Sequence, residues 1–160
     1  MTNHLSMKKS GATDLVITRR FNAPPQPVYD AHIDAEKLKI WMLGPEGWTM
    51  PHCEMDARPG GAFSYTWENT GGDGESFTIC GSFVELDPPH RIVHVETMDF
   101  GEDSPPESRV TTEFASDGDG TLMTMTITYD SAESREAAIE SGMEAGMAVS
   151  YDNLEAFVAG

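Results

Sequence analysis

A chain of 160 residues with 27 acidic and 10 basic side chains has a formal net charge of −17, and it carries 39% hydrophobic residues, fifteen Gly and ten Pro. A single domain of that length buries roughly 70% of its unfolded surface, and the composition is neither disordered nor collagen-like. From Asp14 onward eight basic residues stand against all 27 acids, which argues against nucleic acid and anionic membranes as partners, since both need clustered Lys and Arg to displace counterions.

No run approaches the roughly 18 apolar residues of a membrane helix, and the start lacks the apolar stretch of a signal peptide, so a soluble cytoplasmic protein is expected. Cys53 and Cys80 are too few for a disulfide framework and form no C-x-x-C pair; reduced thiols in or near the core are expected.

Residues 1–13 are polar and without period, which predicts a flexible N-terminal tail ahead of a single domain over 14–160. Asp14 to Phe21 has the β-branched centre of a strand. Pro27 suits a first helical turn, and the spacing of Val28, Tyr29, His32 and Ile33 predicts a short helix followed by a second over 34–41. Thr49 to Asp56 and Ala62 to Glu68 read as strands, the latter with Phe63, Tyr65 and Trp67 alternating onto one face. Further strands are predicted at Ser76 to Leu86, Arg91 to Met98, Ser108 to Ser116 and Thr121 to Asp130. From Ser131 a long amphipathic helix runs through Ile139, Met143, Met147, Tyr151, Leu154 and Phe157. Strand, two short helices, about six strands and one long helix make an α+β domain whose helix lies across a curved antiparallel sheet.

Several stretches together resemble the START-like (SRPBCC) superfamily, in its branch similar to the activator of Hsp90 ATPase homologue. They are Arg20-Phe-Asn-Ala-Pro24 with Val28 and Tyr29, Trp41, Met55-Asp-Ala-Arg-Pro-Gly-Gly61, Gly81-Ser-Phe-Val-Glu85 leading into Pro88-Pro-His-Arg-Ile92, Gly120-Thr121, and Gly142-Met-Glu-Ala-Gly-Met147. The resemblance implies a helix-grip fold, with six or seven strands wrapped around the C-terminal helix and a cavity between them. It also implies ligands such as lipids, sterols, polyketides or hormones, or a cyclase- or hydrolase-like reaction on the same cavity.

Trp41, Trp48, Phe63, Tyr65, Trp67 and Phe77, with Met123, Met125, Met143, Met147 and Tyr151, are the candidate lining of that space, an apolar wall with adaptable methionines. The alternative is that they fill the core. Trp41 reads better as an anchor for the short helices. Two pairs of polar residues share a strand face, His52 with Glu54 and His94 with Glu96. Facing inward, such a pair would suit general acid/base work; an outward face, normal in a one-sided antiparallel sheet, is the expected arrangement. No metal site is expected, because His52, Cys53 and Glu54 alternate faces. No cofactor motif is present either: Gly71 to Gly74 is a hairpin tip carrying an acid. Arg58 before Gly60 and Gly61 is expected to pair with a carboxylate at the turn.

Gly142 and Gly146, with Ala138, Ala145 and Ala148, suggest close approach of a second surface to the final helix, from the sheet or from another subunit in a homodimer. The favoured function is binding of an apolar or aromatic small molecule. An enzyme on the same cavity and a co-chaperone-like interaction module are the alternatives, and the sequence assigns no role to the acidic loop 99–107.

Overall fold

The computed structural model describes residues 3–43, 46–70, 75–99 and 106–159. Its elements are β1 (Ser6–Ser10), β2 (Asp14–Phe21), α1 (Pro25–Asp30), α2 (Ala35–Trp41), β3 (Trp48–Met55), β4 (Ala62–Asn69), β5 (Ser76–Asp87), β6 (Arg91–Asp99), β7 (Ser108–Asp117), β8 (Gly120–Thr128), α3 (Ala132–Glu140) and α4 (Met143–Ala159). All strands join one antiparallel sheet in the order β1-β2-β8-β7-β6-β5-β4-β3. From β3 to β8 the chain meanders between neighbours, and β2 then docks on β8. The two short helices carry the chain from β2, near one edge, to β3 at the other.

Period-2 alternation decides which face is inside. In β2, Leu15, Ile17, Arg19 and Phe21 are buried while the residues between them are half-buried; in β4, Phe63, Tyr65 and Trp67 are buried. The core continues through Val28, Tyr29, Leu38 and Trp41 of the short helices to Tyr151 and Leu154 of α4. Local signals fix the helix starts: Asp34 accepts the Glu36 amide at 3.0 Å to cap α2, and Ser131 accepts the Ser134 amide at 3.1 Å to cap α3. Among the described residues no helix is long and apolar enough to cross a membrane.

Three expectations are corrected. Residues 6–10, expected as tail, form edge strand β1, in register with β2 from Ser6 opposite Thr18 to Ser10 opposite Asp14. Backbone pairing, a positive-φ turn at Gly11 and the 2.8 Å Lys9–Glu136 ion pair hold it there, so it needs no apolar pattern of its own. The expected single C-terminal helix is two, α3 and α4, because Gly142 takes φ +86° and ends the first. A Cβ at Gly142 would meet nothing within 4 Å, so backbone conformation, not a close surface, accounts for this glycine. Cys80 is exposed and only Cys53 is buried; both thiols are free.

The turn at Gly44-Pro45, the hairpin tip 71–74 and residues 100–105 of the acidic loop lie outside the described residues.

Candidate functional site

Strand β6 places a charged pair inside the molecule. In its register His94 stands opposite Phe83 on β5 and Val110 on β7, and both partners are core residues. Paired residues share a face, so His94 and, two residues on, Glu96 look toward α4. This corrects the outward expectation for that pair. The side chains are 15% and 24% exposed. His94 Nε2 lies 2.7 Å from Glu96 Oε1; a carboxylate oxygen can only accept, so Nε2 carries the proton and donates. The His94 ring meets Phe63 edge-on at 5.2 Å between centroids, which locks it against the aromatic wall.

The Glu96 charge reaches across the interior. Burial first, and then this carboxylate, push Tyr129 up to about 12 and raise Tyr151 on α4; Tyr65 is raised well above the ordinary phenol for the same two leading reasons. All three therefore stay neutral phenols. One carboxylate acting on tyrosines from β4, from α4 and from the segment after β8 locates it where sheet and helix face one another.

Gly81 makes room for this arrangement. It pairs with Glu96 across β5 and β6, and a Cβ on it would lie 1.9 Å from the Val95 carbonyl oxygen and 2.9 Å from the Glu96 Cα. Both are backbone atoms, so relief needs the strands to part. Gly81→Ala is expected to cost about 2 kcal/mol or more in urea unfolding and to displace the His94 side-chain NMR signals. An alanine variant as stable as the parent would show that the strands separate freely there.

A second histidine, overlooked in the sequence because its spacing matched a helical core position, lies within electrostatic reach of His94. His32 follows α1, and its Nδ1 lies 2.7 Å from the Val28 carbonyl oxygen. That oxygen accepts, so Nδ1 holds the proton and Nε2 keeps its lone pair. Nε2 is buried and has no hydrogen-bond partner among the described residues. The ring lies 5.0 Å from Trp41, 5.1 Å from Phe114 and 6.2 Å from Tyr151, centroid to centroid. Burial lowers its pKa to about 4, and the His94 charge adds to the same effect against the hydrogen bond to Val28.

Helix α4 is fastened over this face by a buried cation. Arg19 donates to Asp152 at 3.0 Å and to Glu155 at 3.1 Å, and also to the Arg20 carbonyl; its guanidinium lies 4.9 Å from the Phe21 ring centroid. Glu155 further accepts the Asn22 amide at 3.0 Å and the Asn3 side-chain amide at 2.7 Å.

The other candidates distribute as follows. Phe63, Tyr65 and Trp67 line the inner face as an aromatic ladder, with Phe63 stacked on Tyr65 at 5.2 Å and Trp67 on Phe77 at 5.1 Å. Trp48 packs edge-on to Phe77 at 5.6 Å. Met125, Met143 and Met147 are half-buried, and Met125 and Met147 touch both apolar clusters of the core. Trp41 and Met123 have no exposed surface; Trp41 donates from Nε1 to the Ala31 carbonyl at 2.9 Å and is an anchor of the short helices. His52 and Glu54 do not join the interior: Cys53 between them is buried and stands opposite Tyr65, so the pair lies on the outer face. Arg58 pairs with Asp56 at 2.8 Å on the surface. Two surface hollows, of about 400 Å³ beside Ile33 and Lys37 and about 530 Å³ beside Leu5 and Ile139, are lined by none of the candidate aromatic or methionine residues.

A long helix fastened across one antiparallel sheet, with aromatic walls and a few polar groups between them, agrees with the helix-grip class. Residues 22–159 match the family described as activator of Hsp90 ATPase homolog 1-like protein, and the chain belongs to that family, within the SRPBCC superfamily. Members commonly bind hydrophobic ligands. A crystal structure of a Rhodobacter sphaeroides protein is similar at 26% identity, 97% coverage of both chains and a TM-score of 0.85. Protein Ms6760 from Mycobacterium smegmatis is similar at 26% identity, 96% coverage of both chains and the same TM-score of 0.85. The AHSA1 protein from Silicibacter pomeroyi shares the fold at 22% identity, with 91% of this chain and 97% of that one covered and a TM-score of 0.71. None of the curated proteins matches the chain.

Proposed function

We propose that this protein binds a small apolar or aromatic molecule between α4 and the inner face of the sheet. The observation that carries the reading is the His94–Glu96 pair, set inside an aromatic wall within electrostatic reach of a second histidine whose Nε2 has no partner among the described residues. A core serving stability alone gains little from a buried carboxylate and an unpaired imidazole nitrogen, because each carries a desolvation cost. Apolar walls with a few convergent polar groups are the usual form of a ligand site.

Catalysis in the same space is the second reading, and the same pair favours it. With Nε2 donating to Glu96, His94 is oriented as a histidine is when a carboxylate prepares it for proton transfer. The co-chaperone-like reading has less support. It calls for an exposed apolar patch, whereas the large exposed hydrophobics among the described residues, Ile40, Val84, Leu122 and Val149, sit singly on α2, β5, β8 and α4.

Native mass spectrometry of the protein purified from its own host, compared with the same sample denatured, tests the reading. An added mass that vanishes on denaturation is the expected result. A clean apo mass, with no thermal shift across a panel of lipids and aromatic compounds, would count against both cavity readings.

A further inference from the structure

We propose that the interior selects uncharged ligands that donate a hydrogen bond, such as phenols and alcohols, and rejects carboxylates. The proposal rests on the binding site described above and concerns the polarity of the ligand's buried end.

The polar atoms around the space between α4 and the sheet are acceptors or neutral hydroxyls. Glu96 uses Oε1 for His94, which leaves Oε2 as a charged acceptor. His32 holds its proton on Nδ1 and presents a lone pair on Nε2. An incoming hydroxyl or N–H satisfies either atom, whereas an ether oxygen or carboxylate gives neither a partner. Tyr65 and Tyr151 add neutral hydroxyls, which serve either kind of ligand and so do not discriminate.

No Lys or Arg is free there to receive an anion, and His94 is already engaged with Glu96 at 2.7 Å. All ten Lys and Arg fall within the described residues, and only Arg19 and Arg135 are buried. Arg19 is occupied by Asp152, Glu155 and the Arg20 carbonyl. Arg135 is occupied by the Gly11 and Asp14 carbonyls, to which it donates at 3.1 and 3.2 Å, and faces Glu136 at 3.5 Å. The remaining eight are half-buried or exposed, five of them in ion pairs with Glu136, Asp117, Asp34, Glu36 or Asp56 and Arg91 between Glu85 and Glu113. A carboxylate entering beside Glu96 would meet like charge in a low-dielectric space whose imidazole, His94, is already committed to Glu96.

Three probes of one shape separate the possibilities: 2-naphthol, its methyl ether and 2-naphthoate, titrated into the full chain at neutral pH with dissociation constants read from protein NMR shifts. Naphthol is expected to bind about 10- to 100-fold more tightly than the ether, the worth of a hydrogen bond to a charged group, and naphthoate more weakly still. Glu96→Gln is expected to shrink the preference for naphthol over its ether, with urea unfolding verifying the fold. Equal affinity for naphthol and ether, or tighter naphthoate, overturns the proposal while leaving the binding site intact. Failure of all three to bind overturns the proposal together with the binding reading.

Discussion

Replacing Arg19 with alanine is expected to lower stability by about 2–3 kcal/mol, and the melting temperature by about 5–10 °C for a domain of this size. The guanidinium is 2% exposed and faces Asp152 and Glu155, which are 70% and 22% exposed. Breaking a fully buried pair costs about 3–5 kcal/mol because a charge is stranded. Here the outer carboxylate is already hydrated, and the inner one keeps the amides of Asn22 and Asn3, which reduces the loss. Burial works to raise the Glu155 pKa, but those two donors and Arg19 together hold it below the usual carboxylate range. Asp152→Asn should change stability by less than about 0.5 kcal/mol, since an exposed pair contributes little. Thermal and urea unfolding of the two variants separate the roles. An Arg19→Ala protein within about 0.5 kcal/mol of the parent would mean that α4 is held by its apolar face alone.

The elements with an unbroken period were legible in the sequence. Predicted and observed bounds coincide at β2 and differ by no more than two residues at β3 to β8, where turn residues such as Asp56, Asp87 and Asp117 punctuate the strands. Strand β1 was hidden because an edge strand bonded on one side and exposed on the other carries no alternation; Met7 is half-buried between polar neighbours. The break at Gly142 was hidden by the opposite condition, since Ile139, Met143 and Met147 keep helical spacing through it. Only the backbone angle shows that the glycine ends a helix.

The site was half legible for a related reason. Period 2 reports which residues share a face, and it correctly joined His94 to Glu96. It does not report which face is inside. In β6 the polar pair was expected to look outward, because an outward polar face is normal in a one-sided antiparallel sheet. The register reverses that choice by setting His94 beside Phe83 and Val110. His32 left no signal, because the tautomer that frees Nε2 depends on a hydrogen bond to a backbone carbonyl that spacing cannot reveal.

That histidine should also set the acid limit of the fold. In the unfolded chain His32 takes a proton near its ordinary pKa of 6.5, whereas in the folded protein burial holds it to about 4. Between those values the unfolded state binds the extra proton, so stability fully present above about pH 6.5 is lost as the pH falls toward 4. At about 1.4 kcal/mol per pH unit of separation the loss reaches roughly 2 kcal/mol at pH 5 and roughly 3 at pH 4. Glu155, with its lowered pKa, adds to acid sensitivity only below its ordinary value of 4.5, so the two windows barely overlap. His32→Phe keeps a ring among Trp41, Phe114 and Tyr151 and removes the titrating group. This variant should be close to the parent in urea midpoint at pH 7.5 and more stable than the parent at pH 5. Parallel stability curves from pH 7.5 to 4.5 would place the proton uptake elsewhere. A crossing near pH 6 would identify the buried, neutral imidazole as its source, and with it the lone pair that the interior presents to a ligand.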